Sequence, residues 1–254
     1  MTIDTVPYAV ETRALVKEFA GFRAVDSVDL RLDAGRVHAL VGPNGAGKTS
    51  LFNLLTGFLR PTSGSIVLFG QEATGLPPEK IARRGVARSF QITSLFDRLT
   101  ALEHTALALQ AASTLGFRFW TTERALSRFH DRARSLLAEV GLADLATRPA
   151  GSLPYGQKRA LELALAIALD PRLLLLDEPT AGMGLEDVQR TIELIRRLRR
   201  DRTVVLVEHN MGVVAELADQ VIVLQQGRVI AQGAYAAVRE DPAVVTAYLG
   251  QAHA

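Results

Sequence analysis

Residues 42–50 read GPNGAGKTS, and this stretch decides the fold. Its first eight residues match the pattern G-x-x-x-x-G-K-[ST] in full. The match follows a short apolar run, RVHALVG, and precedes residues with helical spacing from Lys48 to Thr56. Glycines let the backbone curl so that successive N–H groups point at phosphate oxygens, and the helix N-terminus adds its dipole. The stretch therefore predicts a phosphate-binding loop between a strand and a helix.

Every residue of this loop is a candidate for nucleotide binding. We expect the Lys48 ammonium to meet the β- and γ-phosphates and the Thr49 hydroxyl to ligate Mg²⁺. The predicted nucleotide-binding residues of the loop are Gly42, Pro43, Asn44, Gly45, Ala46, Gly47, Lys48, Thr49 and Ser50.

A second stretch, LLLLDE at residues 173–178, ends in two carboxylates. Its four leucines are typical of a strand buried on both faces of a parallel sheet, and ligands bind such sheets at the carboxyl ends of the strands. Neighbouring strand residues point to opposite faces. We therefore assign Asp177 to the Mg²⁺ shell and Glu178 to polarising a water molecule.

Two more predicted strands end at the same edge of the sheet. VARSFQ ends at Gln91, and TVVLVEH delivers His209. An amide can bridge Mg²⁺ or water and a phosphate, and an imidazole can donate to a γ-phosphate. The remaining histidines lack such a setting and are interpreted as structural or surface residues: His38, His104, His130 and His253.

The order of predicted elements indicates an α/β fold. Strand patterns fill the opening third, helical patterns without a convincing strand run from about residue 92 to 151, and strands then alternate with helices to the end. Such alternation predicts a mostly parallel sheet with crossover helices. We expect a single domain over residues 1–254, with residues 1–91 and 152–254 as the nucleotide-binding core and residues 92–151 as a helical insert.

The composition excludes several classes of protein. The 254 residues carry a formal net charge of +2, too small to indicate a nucleic-acid partner, and no cysteine for a disulfide framework. No signal peptide is recognised, and no apolar run approaches the roughly 20 residues of a membrane-spanning helix. The chain is expected to be soluble, or attached to a membrane only through a partner.

Taken together and in this order, five motifs resemble those of the ATP-binding subunits of ABC transporters: GPNGAGKTS, SFQ, LPYGQKR, LLLLDEPTAGM and VEHNM. The resemblance covers nearly the whole chain. It implies a P-loop NTPase core, an antiparallel N-terminal β subdomain, an inserted helical subdomain, and ATP with Mg²⁺. It also implies catalytic roles for Lys48, Gln91, Glu178 and His209, a metal role for Gln91 beside Thr49 and Asp177, and adenine stacking by Phe19 with Val25 beside it.

Further motifs resemble the branched-chain amino acid branch of importers, and within it the larger of two different ATPases. They are L-x-Y-G-Q, RALELA, DEPTAGM and the tail EDPAVVTAYLG. That branch includes urea and short-chain amide importers. A lipopolysaccharide-export ATPase and a soluble ABC ATPase of DNA repair or translation remain alternatives. So does a regulatory module without turnover, although the presence of Glu178 argues against it.

The resemblance also implies partners. Two ATPase chains would sandwich two ATPs, so that residues Leu153, Pro154, Tyr155, Gly156 and Gln157 contact the ATP held by the partner. Closure would pull on two membrane permeases through a groove near Leu95 and Phe96, at the cytoplasmic face of the bacterial inner membrane. A substrate-binding protein would take part indirectly.

Two departures from the family pattern are present. Pro154 and Tyr155 replace a serine and a glycine, and residues 181–184 replace S-A-L-D. Since this chain's own phosphate loop is complete, we expect a heterodimer with a second ATPase, and a homodimer stays open. The altered segment should weaken the partner's ATP site.

Overall fold

The computed structural model describes residues 6–89, 95–113 and 123–249, which form two β-sheets covered by helices. The strands are β1 Tyr8–Phe19, β2 Phe22–Asp33, β3 Val37–Val41, β4 Ser63–Leu68, β5 Gln71–Glu72, β6 Val86–Arg88, β7 Leu173–Asp177, β8 Thr203–Val207, β9 Gln220–Gln225 and β10 Arg228–Gly233. The α-helices are α1 Lys48–Leu55, α2 Pro78–Ala82, α3 Ala101–Ala112, α4 Glu123–Glu139, α5 Tyr155–Ile167, α6 Leu185–Leu198, α7 Met211–Leu217, α8 Tyr235–Arg239 and α9 Pro242–Leu249.

The smaller sheet is antiparallel, with the strand order β2–β1–β4–β5. Part of this sheet alternates between a buried and an exposed face, as a sheet with one solvent-exposed side requires, whereas bulges interrupt the alternation in β1. In β2, for example, Val28, Leu30 and Leu32 are buried while Asp29 and Arg31 are exposed. This alternation explains why the opening third of the sequence reads clearly as strands.

The larger sheet has the order β10–β9–β3–β8–β7–β6 and is parallel from β9 to β6, while β10 runs antiparallel. All residues of β3, β7 and β8 are buried. Leu173 and Leu175 face a core shared with α1 and the smaller sheet, whereas Leu174 and Leu176 face a core shared with the helices. The predicted α/β class with a mostly parallel sheet is confirmed.

Between the β6 and β7 regions, the described residues form helices and no named strand. Helix α3 begins with a capping box, in which the Thr100 hydroxyl and the Glu103 carboxylate each bond the other residue's backbone N–H. Leu136 and Leu137 of α4 are fully buried in the core on the helical side of the larger sheet. The predicted division into a core and a helical insert stays a prediction.

One predicted boundary differs. The strand that was expected to reach Gln91 is β6, and it ends at Arg88. One further hydrogen bond follows, because the Ser89 N–H donates to the Leu175 carbonyl at 2.9 Å. Gln91 lies outside the described residues.

His38 is structural, as predicted. It is fully buried and lies 3.0 Å from the Gln220 side-chain oxygen and 2.9 Å from the Asp33 carbonyl. Among the described helices, none is long and apolar enough to cross a membrane.

Candidate active site

The loop between β3 and α1 depends on glycine where other backbone approaches it. At Gly42, with φ of 148°, an added β-carbon would lie 2.1 Å from the Leu224 carbonyl oxygen. At Gly47, with φ of 100°, it would lie 2.3 Å from the Ala24 carbonyl oxygen. Any larger residue would push the loop away from its neighbours. The loop is thus fixed by contacts with β2 and with the end of β9.

The N-terminus of α1 is prepared for an anion. Gly47 is its N-cap and supplies no side-chain cap, and the first turn contains no acidic residue. The N–H groups of the first turn therefore have no competing side-chain acceptor there, and the helix dipole favours negative charge.

Lys48 is folded into the loop. Its Nζ donates to the carbonyl oxygens of Gly42 at 2.7 Å and Pro43 at 3.0 Å. Burial lowers the pKa of the Lys48 ammonium, and the nearby carboxylates of Glu178 and Asp177 oppose this shift. The ammonium is thus bound to the loop carbonyls and lies within electrostatic reach of both acids.

A cleft of about 320 Å³ opens over this loop. The residues that line it are Phe22, Ala24, Asn44, Gly45, Ala46, Gly47, Lys48, Thr49, Ser50, Glu178, Val207 and His209. The structure therefore brings most of the predicted loop residues together with Glu178 and His209.

Glu178 and His209 meet at the ends of two neighbouring strands. Asp177 pairs with Val207 in the parallel ladder of β7 and β8, so the residues that follow lie side by side. Nε2 of His209 is 3.2 Å from Oε1 of Glu178. Glu178 has a left-handed backbone, with φ of 48°, which costs a non-glycine residue of order 1 kcal/mol or more. Surrounding contacts must hold it in place.

Asp177, the last residue of β7, bonds to another side chain, and its role as a metal ligand stays a prediction. It is buried, with 4% of its surface exposed, and its Oδ2 accepts from Arg88 Nη2 at 2.6 Å. Arg88 also donates to the Asn53 side-chain oxygen at 2.6 Å and lies over the Phe52 ring. This ion pair was not foreseen from the sequence.

The predicted adenine-stacking residue, Phe19, lies opposite Phe22 at the tip of the β1–β2 hairpin. Both rings are exposed, and Lys17 Nζ lies 4.8 Å from the Phe19 ring centre. Phe22, rather than Phe19, lines the cleft. Val25 is fully buried and packs in the core beneath.

These features combine a phosphate-binding loop, two carboxylates and a histidine at one sheet edge. A family model described as ABC transporter matches residues 25–181, more than half of the chain. The chain belongs to the ABC transporter family. A second model, described as branched-chain amino acid ATP-binding cassette transporter, matches residues 228–254 of this ABC protein.

Curated relatives agree with this assignment. The chain is 41% identical over 253 residues to the high-affinity branched-chain amino acid transport ATP-binding protein BraF of Pseudomonas aeruginosa, covering 96% of this chain and 98% of the relative. It is 39% identical over 250 residues to LivG of Escherichia coli, which carries the same description and is covered to 98%.

A solved structure agrees with the fold. The ADP conformation of an ATP-binding cassette of an ABC transporter superposes with a TM-score of 0.85 at 27% identity, over 96% of this chain and 99% of that one. The predicted family, its branch and the ATP-binding P-loop NTPase fold are confirmed.

Residues 153–157 of this ABC protein, predicted to contact the partner's ATP and called the signature segment below, span the start of α5. Pro154 is the N-cap, with an extended backbone and no side-chain cap, and Leu153 before it is buried. The half-exposed Tyr155 ring faces Gly182, and its hydroxyl accepts from Arg159 Nε at 3.2 Å. None of residues 153–157 lines the cleft over the chain's own phosphate loop.

Gly156 is in close contact with α6. An added β-carbon would lie 2.7 Å from the Asp187 carboxylate, so a larger residue here would require the Asp187 side chain to move. Gly156 and Gln157 line a second cleft together with Asp187 and Arg190. The signature segment therefore has an acidic neighbour that the sequence did not reveal.

The structure describes both residues that were predicted to lie near the groove for the permeases. Leu95 packs against the core, whereas Phe96 is exposed and stacks on His104, with ring centres 5.9 Å apart. The Phe96 N–H donates to His104 Nε2 at 2.9 Å. His104 is thus structural, as predicted.

Sequence reasoning missed three further residues near the site of this ABC protein. Arg88 is the last residue of β6 and Glu208 directly follows β8, next to His209, and these positions could have drawn attention to them. The hydroxyl of Tyr248, near the end of α9, is hydrogen-bonded by the backbone of Gly42, which opposes the rise in its pKa that burial causes. No sequence signal connects residues 42 and 248.

Proposed function

We propose that this chain hydrolyses ATP and that hydrolysis drives the import of branched-chain amino acids through membrane permeases. The pairing of Glu178 with His209 beside the phosphate-binding loop is the observation that carries the proposal. A nucleotide-binding module without turnover would have no need of a carboxylate and an imidazole in contact at this edge.

Each residue of the candidate active site has its own role in the proposed hydrolysis of ATP. The uncapped N–H groups of α1 and the Lys48 ammonium bind the phosphates of ATP. Glu178 orients a water molecule and takes its proton as the water oxygen bonds to the γ-phosphorus and the bond to the ADP oxygen breaks. His209 donates a hydrogen bond to the γ-phosphate. Catalysis is mainly positioning and charge neutralisation.

The residues present also fit Mg²⁺, which prefers oxygen ligands. The Thr49 hydroxyl and the Asp177 carboxylate would hold it, with Gln91 as a further ligand, and Arg88 binds only one oxygen of Asp177. When bound, the ion would neutralise phosphate charge.

Substituting the proposed base tests hydrolysis directly. Glu178→Gln should abolish ATP turnover and leave ATP binding intact, because the amide keeps the shape of the side chain but takes no proton. Glu186→Gln, on an exposed α6 residue, is the matched control and should leave turnover unchanged. Unchanged turnover in Glu178→Gln would refute the assignment of the base.

The proposed solute is supported by the match of the C-terminal residues and by the names of the curated relatives. Permeases and a binding protein select the solute, so the test needs the assembled transporter. Proteoliposomes containing the assembled transporter, together with its binding protein, should take up leucine with ATP, faster than urea or acetamide. Preferential uptake of urea or an amide would overturn the choice of solute.

We further propose that the chain works at the cytoplasmic face of the membrane as one half of a heterodimer of ATPases. The altered signature, Pro154 and Tyr155, supports two unlike sites, and the exposed Phe96 offers an apolar contact for a permease. A purified active transporter that contained the permeases and two copies of this chain alone would exclude the heterodimer.

A further inference from the structure

Glu208, the residue between β8 and His209, is a buried carboxylate at the edge of the candidate active site. Only 3% of its surface is exposed. In the described parts of the chain, no salt bridge to it is present, so hydrogen bonds must replace the water that its charge has lost.

Four donors bind this carboxylate, two on each oxygen. Oε1 accepts from the Thr180 N–H at 3.1 Å and from the Thr180 hydroxyl. Oε2 accepts from the N–H groups of His209 at 3.0 Å and Asn210 at 3.2 Å. Glu208 therefore binds the loop after β7 with one oxygen and the loop after β8 with the other.

These are the two loops that carry Glu178 and His209. Thr180 is two residues beyond Glu178, and the side chains of Glu178 and His209 meet at 3.2 Å. Glu178 has a left-handed backbone, which a non-glycine residue keeps only when its surroundings impose it. The carboxylate of Glu208 supplies such a restraint through its hydrogen bonds to Thr180, His209 and Asn210.

A carboxylate is the side chain that suits this arrangement, because it accepts hydrogen bonds on both oxygens and donates none. A glutamine at this position would keep one accepting oxygen and turn an NH₂ group toward two donors. One of the two loops would then lose its bonds, although the shape of the side chain would hardly change.

We propose that Glu208 is a positioning residue for ATP hydrolysis: its carboxylate holds the loop of Glu178 and the loop of His209 in the geometry in which the two side chains meet. The inference rests on the proposed ATP hydrolysis and adds to it a residue that does not touch the nucleotide. Because Glu208 does not line the cleft, ATP binding should be nearly independent of it.

The test is a kinetic comparison of the full chain in its assembled transporter. Glu208→Gln should lower kcat about 10-fold or more, as expected for lost hydrogen bonds to a charged group, and change KM for ATP by less than about 3-fold. Thr180→Val, which removes only the hydroxyl donor, should lower kcat by a smaller factor. This second variant keeps the proposal testable if Glu208→Gln folds poorly.

A matched control separates positioning from simple stability. Asp219 is another carboxylate that joins two parts of the fold, since it accepts from the Val37 N–H at 2.8 Å and from Arg199 at 2.9 Å, at the opposite end of the sheet. Asp219→Asn should lower the thermal midpoint and leave kcat and KM unchanged. Glu208→Gln should lower both the thermal midpoint and kcat.

A double-mutant cycle with His209→Ala shows whether Glu208 acts through the histidine. If it does, Glu208→Gln should lower kcat much less in the His209→Ala background than in the wild type. Fully multiplicative losses would overturn the inference, as would a Glu208→Gln variant that is less stable yet turns over within 2-fold of wild type. Failure of the proposed function is distinguishable, because then wild type and Glu178→Gln would not differ in turnover.

Discussion

Arg88 Nη2 lies 2.6 Å from Asp177 Oδ2, and this ion pair is almost completely buried between β6 and β7. Asp177 is the carboxylate predicted to ligate the metal ion, so its charge is balanced before any cation arrives. A buried charge that loses its partner is far more costly than a surface charge, because water cannot replace the partner.

Removing Arg88 should therefore destabilise the protein. Arg88→Met should lower the free energy of unfolding by about 3–5 kcal/mol, measured by urea unfolding without nucleotide. Adding Asp177→Asn should recover part of this loss, because the unpaired charge is then gone. Arg190→Met, which breaks exposed pairs with Glu186 and Asp187, should cost less than about 1 kcal/mol. Equal losses in the two single variants would contradict the role of burial.

The close approach of Ala24 to the phosphate loop makes Gly47 sensitive to any β-carbon. Gly47→Ala should reduce binding of a fluorescent ATP analogue about 100-fold or more, because relieving the clash displaces the N-terminus of α1. Gly35→Ala is the control: it also has positive φ, but nothing lies within 4 Å of its added β-carbon. It should cost about 1 kcal/mol of stability and leave binding unchanged.

The contact between Tyr248 and Gly42 should support nucleotide binding from the C-terminal helix. Tyr248→Phe removes the hydroxyl, and the loss of one hydrogen bond of about 1 kcal/mol should weaken ATP binding by about 5-fold in a calorimetric titration. Tyr235 lines a largely apolar cavity together with Tyr248, and Tyr235→Phe should leave ATP affinity unchanged. An unchanged affinity in Tyr248→Phe would show that the tail does not act on the loop.

His38 should make stability depend on pH. Burial lowers the pKa of its imidazole below 6.5, while hydrogen bonds to Asp33 and Gln220 and the charges of Asp33 and Asp219 oppose the shift. The unfolded chain therefore binds this proton at a higher pH than the folded chain does. The contribution of neutral His38 to the free energy of unfolding is complete above pH 6.5. It is lost as the pH falls below 6.5, by at most about 1.4 kcal/mol per pH unit.

Unfolding curves between pH 7.5 and 5.5 check this sign. His38→Gln should be less stable at pH 7.5 and should lose less stability than wild type on acidification. Parallel losses in the two proteins would show that His38 does not titrate between the folded and unfolded states.

Pro154→Ser should allow one of two interactions at the start of α5. The serine hydroxyl can cap the helix, worth about 1 kcal/mol, or meet the partner's γ-phosphate, worth about 10- to 100-fold in affinity. In the assembled transporter, a titration with labelled ATP should show tightening at one of two sites. Equal tightening at both sites would count against a heterodimer.

The sequence was sufficient for the parts of the site that are local. Residues 42–49 contain the whole phosphate-binding loop, with its glycines and its lysine, between a strand and a helix. The stretch LLLLDE contains a buried strand and the two acids at its end. Such patterns can be read because neighbouring residues determine the backbone conformation of each element. The parallel sheet then brings the strand ends to one edge, which is why Glu178 and His209 could be expected to lie together.

Only the tertiary structure decided which side chains support these residues. Arg88 and Asp177 form an ion pair although they are 89 positions apart in the sequence, and Glu208 binds Thr180 although they are 28 positions apart. Tyr248 contacts Gly42 although the two residues lie near opposite ends of the chain. Phe22 also lines the cleft over the phosphate loop, whereas adenine stacking by Phe19 stays a prediction. The physical reason is that hydrogen bonds and ion pairs of this kind depend on distances of about 3 Å, which are set by how sheets and helices pack and not by spacing along the chain.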